Sequence, residues 1–393
     1  MGRLRTLDDL EVDGKRVLLR VDFNVPIEGG RILDDARIAE SVPTFRRLLE
    51  SGASVVAMTH RGRPRGQVVE ELRVVPLAAR LAELLDLEVV VAPAVVGPAV
   101  EAMCDGLRGG SVMMVENLRF EPGEEANDPE FAKRLAVLGD VYVNDAFGAA
   151  HRAHASTEGV AHLLPAAAGL LMQREVEVLG EVLHNPRQPL VAIVGGAKIS
   201  SKIGVMEHLL PRVERMLVGG AMACTLLRAR GASVGSSRVE EDQLDTAARL
   251  LRDGGDKLVL PSDAVVATAF AADAQTRVVP ASEIPDGWMM LDVGPQTVAD
   301  FAAAIAGAGT VVWNGPLGVY EMEAFRHGTE GVARAVAESP ATSVVGGGDL
   351  AAALSTLGLE DRITHVSTGG GATLEFLEGR ELPGIKALEE EDR

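Results

Sequence analysis

The stretch Asn144–Ser156, NDAFGAAHRAHAS, gathers His151, Arg152 and His154 behind a run of small residues. A guanidinium fork matches phosphate or carboxylate in a bidentate way, and imidazoles add further donors, so this grouping suits a small anion. Related groups follow other short apolar runs: Asp22 and Asn24 in RVDFNVP, His60 and Arg63 in THRGRP, and Arg119 in ENLRF. Arg37 opens the helical pattern after the first of these runs. Any one of the arginines is most simply a surface ion pair, and a lone His a capped loop residue. Their recurrence just past successive apolar runs favours one shared site for a multiply charged anion, with Asp22 and Asn24 placed to read hydroxyls. His151 and His154 are spaced as metal ligands can be, but no Cys lies near to complete a zinc set.

The second half of the chain collects glycines instead. VAIVGGAKISSKI reads as a strand, a double-glycine turn and a helix start, the form in which backbone N–H groups cradle a phosphate. It lacks the Walker A spacing. The chain has only six lysines, and Lys198 and Lys202 stand four apart here, as on one helix face. Lys198, directly after the glycines, is the stronger candidate; Lys202 reads equally well as a solvated surface residue. SVVGGGDLAAAL repeats the plan. Its Asp349 suits both an N-cap and a carboxylate holding Mg²⁺ against nucleotide phosphates. VVWNGPLGVYE offers Asn314 and Glu321 for ribose or base, and Gly219 with Gly220 permit either close packing or the approach of a base to the backbone. Gly346, Gly348 and Ala351 fit G-x-G-x-x-A, but too little chain follows for the second half of a dinucleotide domain.

These residues need a scaffold that brings strand ends together. Nearly continuous apolar runs alternate with helical patterns such as DDARIAESVPTFRRLLESG, which predicts βαβ units and parallel sheets covered on both faces. In such sheets ligands bind at the carboxyl ends of the strands, where the unusual residues lie. At 393 residues two domains are expected. LLPAAAGLLMQREVEVLGEVLHNPRQP reads as a connecting helix ended by Asn185 and Pro186, and ALEEEDR as a solvated acidic end.

A formal net charge of -19 argues against nucleic acid or an anionic membrane as a partner of the whole surface. Two cysteines are too few for a disulfide framework, and the start of the chain has no apolar signal core, so a cytoplasmic protein is expected. The longest uncharged run, from Phe301 to Tyr320, is interrupted by four glycines, Asn314 and Pro316, which speaks against a membrane helix. One half suiting a small anion and the other a nucleotide makes phosphoryl transfer between them the economical reading.

The ordered segments RVDFNVP, GRP, ENLRF, NDAFG, AHRAHAS, GGAK, WNGPLGVYE, GGGD and STGGGA resemble phosphoglycerate kinases over essentially the whole chain. The resemblance implies an α/β protein of two Rossmann-like lobes that close by a hinge. A lobe 1–169 would bind 3-phosphoglycerate, 170–185 would form the interdomain helix, and 186–375 would bind the nucleotide, with the tail 376–393 returning to the first lobe. By motif, Asp22, Asn24, Arg37, His60, Arg63, Arg119, His151 and Arg152 are expected at the phosphoglycerate. Gly196, Ala197, Lys198, Lys202, Gly219, Gly220, Asn314, Pro316, Glu321, Gly347, Gly348 and Asp349 are expected at the nucleotide, and Asp349 at its Mg²⁺. Arg37, Lys198 and Lys202 are the implied catalytic groups. Leu350 stands where the family commonly has Thr or Ser, Ala149 where Thr is frequent, and Arg61 where an apolar residue is usual.

The implied reaction is reversible transfer from 1,3-bisphosphoglycerate to ADP, in a monomer. Its nucleophile, a phosphate or carboxylate oxygen, is already deprotonated, so positioning and charge neutralisation suffice. The rivals are a kinase for another small acid and a non-catalytic nucleotide-binding protein.

Overall fold

Val17, Leu18 and Leu19 are fully buried in the strand Arg16–Arg20, as an apolar run without polar alternation requires. The same holds for Ser54–Met58 and Leu190–Val194, each buried at every position. The computed structural model describes residues 2–390, in two compact units: 2–177 with 381–390, and Val178–Arg380.

The first unit is built on a six-stranded sheet. Its strands run, across the sheet, Val89–Val91, Val112–Met114, Ser54–Met58, Arg16–Arg20, Val141–Asn144 and Ala166–Ala168, all parallel. Phe23, Ile38, Phe45 and Leu77 pack on one face in a continuous core. The last strand is three alanines, residues of low strand propensity, which is why no periodic signal announces it.

The second unit repeats the architecture in the order Leu258–Val259, Arg215–Val218, Leu190–Val194, Thr310–Asn314, Thr342–Gly346 and His365–Ser367. Counted along the chain this is 3-2-1-4-5-6, the dinucleotide-fold order, whose switch point lies between the first and fourth strands. One expectation fails here. Met289–Val293 joins no parallel sheet; it pairs antiparallel with Asp263–Ala267, which also pairs with Thr276–Pro280. A short apolar run does not reveal the direction of its partner.

The helix Leu170–His184 ends where Asn185 and Pro186 predict. Its first turn is fixed by the first unit: Leu171 and Met172 donate their N–H groups to Asp145 Oδ1 at 2.9 and 3.1 Å, and Leu170 donates to Thr44 Oγ1 at 3.0 Å. Burial pushes the Asp145 carboxyl up to about 6. This helix does not form a separate segment, since the division between units falls within it, after residue 177.

The tail also differs from expectation. Residues 376–380 stay with the second unit, where Phe376 and Leu377 are buried on the helix Gly371–Leu377. Residues 381–390 belong to the first unit. There Glu389 bridges to Leu4, Arg5 donates to the carbonyls of Ala387 and Leu388, and Gly384 donates to Ala150. Ala387, Leu388 and Glu389 are buried, so this part of the acidic end is packed; 391–393 lie outside the described residues.

Candidate active site

In the first unit the expected anion-binding residues follow the carboxyl ends of adjacent strands. Asp22 and Asn24 follow Arg16–Arg20, His60 and Arg63 follow Ser54–Met58, Arg119 follows Val112–Met114, and His151 and Arg152 follow Val141–Asn144. Arg37 lies in the first turn of the helix Ala36–Glu50 and donates to Asp22 Oδ2 at 3.0 Å. Asn24 Oδ1 accepts from the Gly62 N–H at 3.0 Å, and Arg119 Nη1 donates to the Gly62 carbonyl at 2.7 Å. The Asn24 and His60 loops are thereby locked together around one glycine.

Beneath them is a buried network whose Arg20, His154 and Ser156 lie in the RVDFNVP and AHRAHAS segments but are not among the residues expected at the phosphoglycerate. Arg20, on the first strand, is 1% exposed. It donates through Nε to Ser156 Oγ at 2.9 Å, through Nη1 to the Val21 carbonyl, and through Nη2 towards His60 Nδ1 at 3.0 Å. Ser156 Oγ in turn donates to the buried Glu124 at 2.6 Å, and His154 Nδ1 lies 3.6 Å from the same carboxylate. His154 is therefore a structural partner of Glu124 here. Burial pushes the Glu124 carboxyl up, but His154, Arg20 and Ser156 together bring it below its usual range.

The network also sets the state of His60. Burial, then the charges of Arg20, Arg119, Arg152 and His154, hold its imidazole well below the ordinary histidine range. All guanidinium nitrogens are donors, so Nδ1 facing Arg20 must accept, which puts the proton on Nε2. Asp22 Oδ1, 3.8 Å from Nδ1, is too distant to reverse this. His60 thus presents one neutral donor. Positive charge comes from Arg63, which is exposed, and Arg152, which is half-buried; neither side chain makes a hydrogen bond or ion pair among the described residues.

In the second unit most of the residues expected at the nucleotide gather at the switch point. Gly195 donates to the Asn314 carbonyl and Gly196 to that of Pro316, which holds the turns after the first and fourth strands against each other. Gly220, at φ +69°, packs so closely on Gly196 that a Cβ would overlap its backbone. A cavity of about 330 Å³ opens there, lined by Gly196, Ala197, Lys198, Lys202, Asn314, Pro316, Gly347 and Asp349. It adjoins a second of about 440 Å³ that shares Gly196, Ala197, Pro316 and Asp349 and adds Gly220, Glu321 and an apolar wall. Gly219 is not in either lining; it packs against Leu317. Gly348 is also outside both.

The structure departs from three local expectations. Lys198 and Lys202 do not share an α-helical face: Ile199–Ser201 is a 3₁₀ turn, and the helix begins at Ile203. Lys198 is exposed, whereas Lys202 is buried, with Nζ donating to Asn314 Oδ1 at 2.6 Å. Burial pushes its ammonium below the usual lysine range, so it is no solvated surface residue. Asp349 is not an N-cap; Gly347 holds that position in the helix Gly348–Leu357, and the exposed Asp349 carboxylate is left to face the cavities. Leu350, beside it, is fully buried.

The phosphoglycerate kinase profile matches residues 7–380. A relative described as phosphoglycerate kinase from Moorella thermoacetica is 57% identical over 98% of this chain and 99% of its own length. Another, from Rubrobacter xylanophilus, is 56% identical over 99% of both. The chain belongs to the phosphoglycerate kinase family. A solved phosphoglycerate kinase structure from Coxiella burnetii superposes with a TM-score of 0.88, at 43% identity over 98% of this chain and 99% of that one. As a phosphoglycerate kinase family member it is a phosphotransferase that uses ATP or ADP in glycolysis. Among the described residues no helix is long and apolar enough to cross a membrane.

Proposed function

We propose that the first unit binds 3-phosphoglycerate or 1,3-bisphosphoglycerate and the second binds the nucleotide, with direct transfer between them. What carries this reading is the phosphate cradle at the second sheet's switch point, which places Lys198, Lys202 and Asp349 around one cavity. In the first unit, Arg63 and Arg152 meet the substrate's anionic groups as point charges that no protein carboxylate offsets, and His60 Nε2–H adds a neutral donor. Asp22 fixes Arg37, leaving the rest of its fork for the transferring phosphoryl group. No step needs a general base, because both attacking oxygens are already ionised. The hinge closure that the family resemblance implies would also exclude the water that would hydrolyse an acyl phosphate.

The metal fits in a limited way. Among the described residues no three His, Cys, Asp or Glu side chains are grouped to hold a cation. One exposed carboxylate, Asp349, faces the phosphate cradle, and it would hold Mg²⁺ jointly with the nucleotide's own oxygens. Bound there, Mg²⁺ supplies charge neutralisation. Asp349→Asn should weaken binding of Mg-ADP while leaving 3-phosphoglycerate affinity nearly intact; calorimetry that finds Mg-ADP affinity unchanged removes this role.

Arg152→Ala should cost about 1.5–3 kcal/mol of 3-phosphoglycerate affinity, the scale of a hydrogen bond to a charged group. The loss should shrink at high salt. Thermal stability should be unaffected, because no protein partner is stranded. Arg119→Ala should lower affinity and stability together, since it also releases the Gly62 carbonyl. Normal affinity in the Arg152 variant would assign that patch to another ligand.

The active species is proposed to be a monomer in the cytoplasm. Both cysteines are free and buried, which suits a reducing compartment. A coupled assay of ATP consumption with Mg²⁺ tests the whole reading. Turnover is expected with 3-phosphoglycerate and not with acetate or aspartate.

A further inference from the structure

The larger of the two nucleotide-unit cavities has a wall of Phe270, Met289, Met290, Leu291 and Val319. If the phosphates occupy the cradle that both cavities share, the base enters this chamber. Such a wall discriminates poorly by shape: methionines are flexible and polarisable, and an aromatic face stacks on any base. Choice between bases therefore falls to polar groups at the chamber's edge. Two of them, Ser236 and Arg238, line this cavity and not the phosphate cavity. A serine hydroxyl donates or accepts and so tolerates either edge pattern. A guanidinium only donates.

The Arg238 backbone is firmly placed. Ser236 donates to the Trp288 carbonyl at 2.7 Å, Ser237 Oγ accepts from the Met290 N–H at 2.9 Å, and Glu240 donates to Thr225 Oγ1 at 3.1 Å. The guanidinium itself makes no hydrogen bond or ion pair among the described residues, although Glu321 and Asp349 line the same chamber. A fork of donors from a pinned loop thus borders an apolar chamber sized for a base. A 6-oxopurine offers O6 and N7 as two adjacent acceptors, which a guanidinium takes in bidentate fashion. Adenine presents N7 beside an amino group, so one prong of the fork meets another donor.

We propose that Arg238 is a specificity-determining residue that raises the enzyme's relative use of 6-oxopurine nucleotides, those of guanine and hypoxanthine. The inference rests on the nucleotide placement in the proposed function. The test compares kcat/KM for Mg-ATP, Mg-GTP and Mg-ITP with saturating 3-phosphoglycerate in the full chain, before and after Arg238→Ala and Arg238→Lys. The GTP/ATP and ITP/ATP ratios should each fall by about 5- to 10-fold in Arg238→Ala, the lower range for a bidentate base contact. They should fall in Arg238→Lys also, because a point charge lacks the fork. ITP should track GTP, since both carry O6 and N7 and only guanine has the 2-amino group. Unchanged ratios, or an equal loss with all three nucleotides, would overturn the proposal. An unaltered enzyme that turns over none of the three would instead overturn the phosphoryl-transfer reading, and this inference with it.

Discussion

Lys202→Met should reduce kcat by about 10²–10³, the scale for removing one preorganised charge from a site of developing charge. The same substitution should leave the melting temperature unchanged or raise it. Both expectations come from burial. Lys202 Nζ is held by Asn314 Oδ1, whose amide is itself oriented by donating to the Gly346 carbonyl at 2.9 Å. The ammonium thus lines the cavity at the switch point, in surroundings that screen it weakly. Keeping it charged there opposes folding, as the downward push on its proton affinity shows. Met retains the length and apolar stem and removes the buried charge, a replacement that is often neutral or stabilising. A simple packing role would give the opposite pair of results: lower stability and little change in turnover. Initial rates and a thermal melt on one preparation separate the two, and a kcat within threefold of the unaltered enzyme would dismiss the catalytic role.

Arg20→Met should destabilise the first unit by about 3–5 kcal/mol, the range for breaking a buried charged network by removing one member. Arg20 satisfies Ser156, Val21 and His60 at once and lends its charge to the buried Glu124. Without it, Glu124 keeps only His154 and Ser156, and its carboxyl should titrate at higher pH. The sign follows from linkage. In the unaltered protein the Glu124 carboxyl lies below its unfolded value, so the stability it lends is present above that value and is lost as pH falls through the folded one. Removing Arg20 takes away part of that contribution, so the deficit should be largest near neutral pH and shrink towards pH ~4, where Glu124 can take a proton. Adding Glu124→Gln to Arg20→Met should recover part of the loss, a coupling that a double-mutant cycle measures. A deficit that is independent of pH and of Glu124 would mean that Arg20 acts by packing alone. Loss of the Nδ1 partner should also free the His60 tautomer and weaken 3-phosphoglycerate binding.

These two residues show where reading the sequence succeeds and where it stops. Motif residues at strand ends were legible because a parallel sheet sends every strand's carboxyl end to one edge, and both sheets do so here. Arg20 opens the RVDFNVP segment and closes an apolar run, yet nothing local says that its partners are Ser156 and Glu124, more than a hundred residues away. The four-residue spacing of Lys198 and Lys202 suggests one helical face, but the 3₁₀ turn at Ile199–Ser201 separates them, with Lys198 exposed and Lys202 buried. The apolar chamber was illegible for a different reason. Its wall joins residues 270 and 289–291, from an antiparallel sheet and its loop, to residue 319, which follows the parallel strand Thr310–Asn314, so that no single stretch carries its pattern. Ala166–Ala168 pairs beside Val141–Asn144 although alanine favours helices.

The pairing of Leu4 with Glu389 bears on the order of synthesis. The unit begun first is completed last. Its closing segment, 381–390, emerges only after Val178–Arg380, a contiguous unit of about 200 residues, has left the ribosome. At roughly 5–20 residues per second that interval is on the order of 10–40 s. During it the carbonyl of Ala150, which later accepts from Gly384, and the flank of residues 3–5 lack their partners. The second unit, needing nothing made after Arg380, is free to fold as soon as it appears. The first unit therefore waits for its last segment while the second can already be finished.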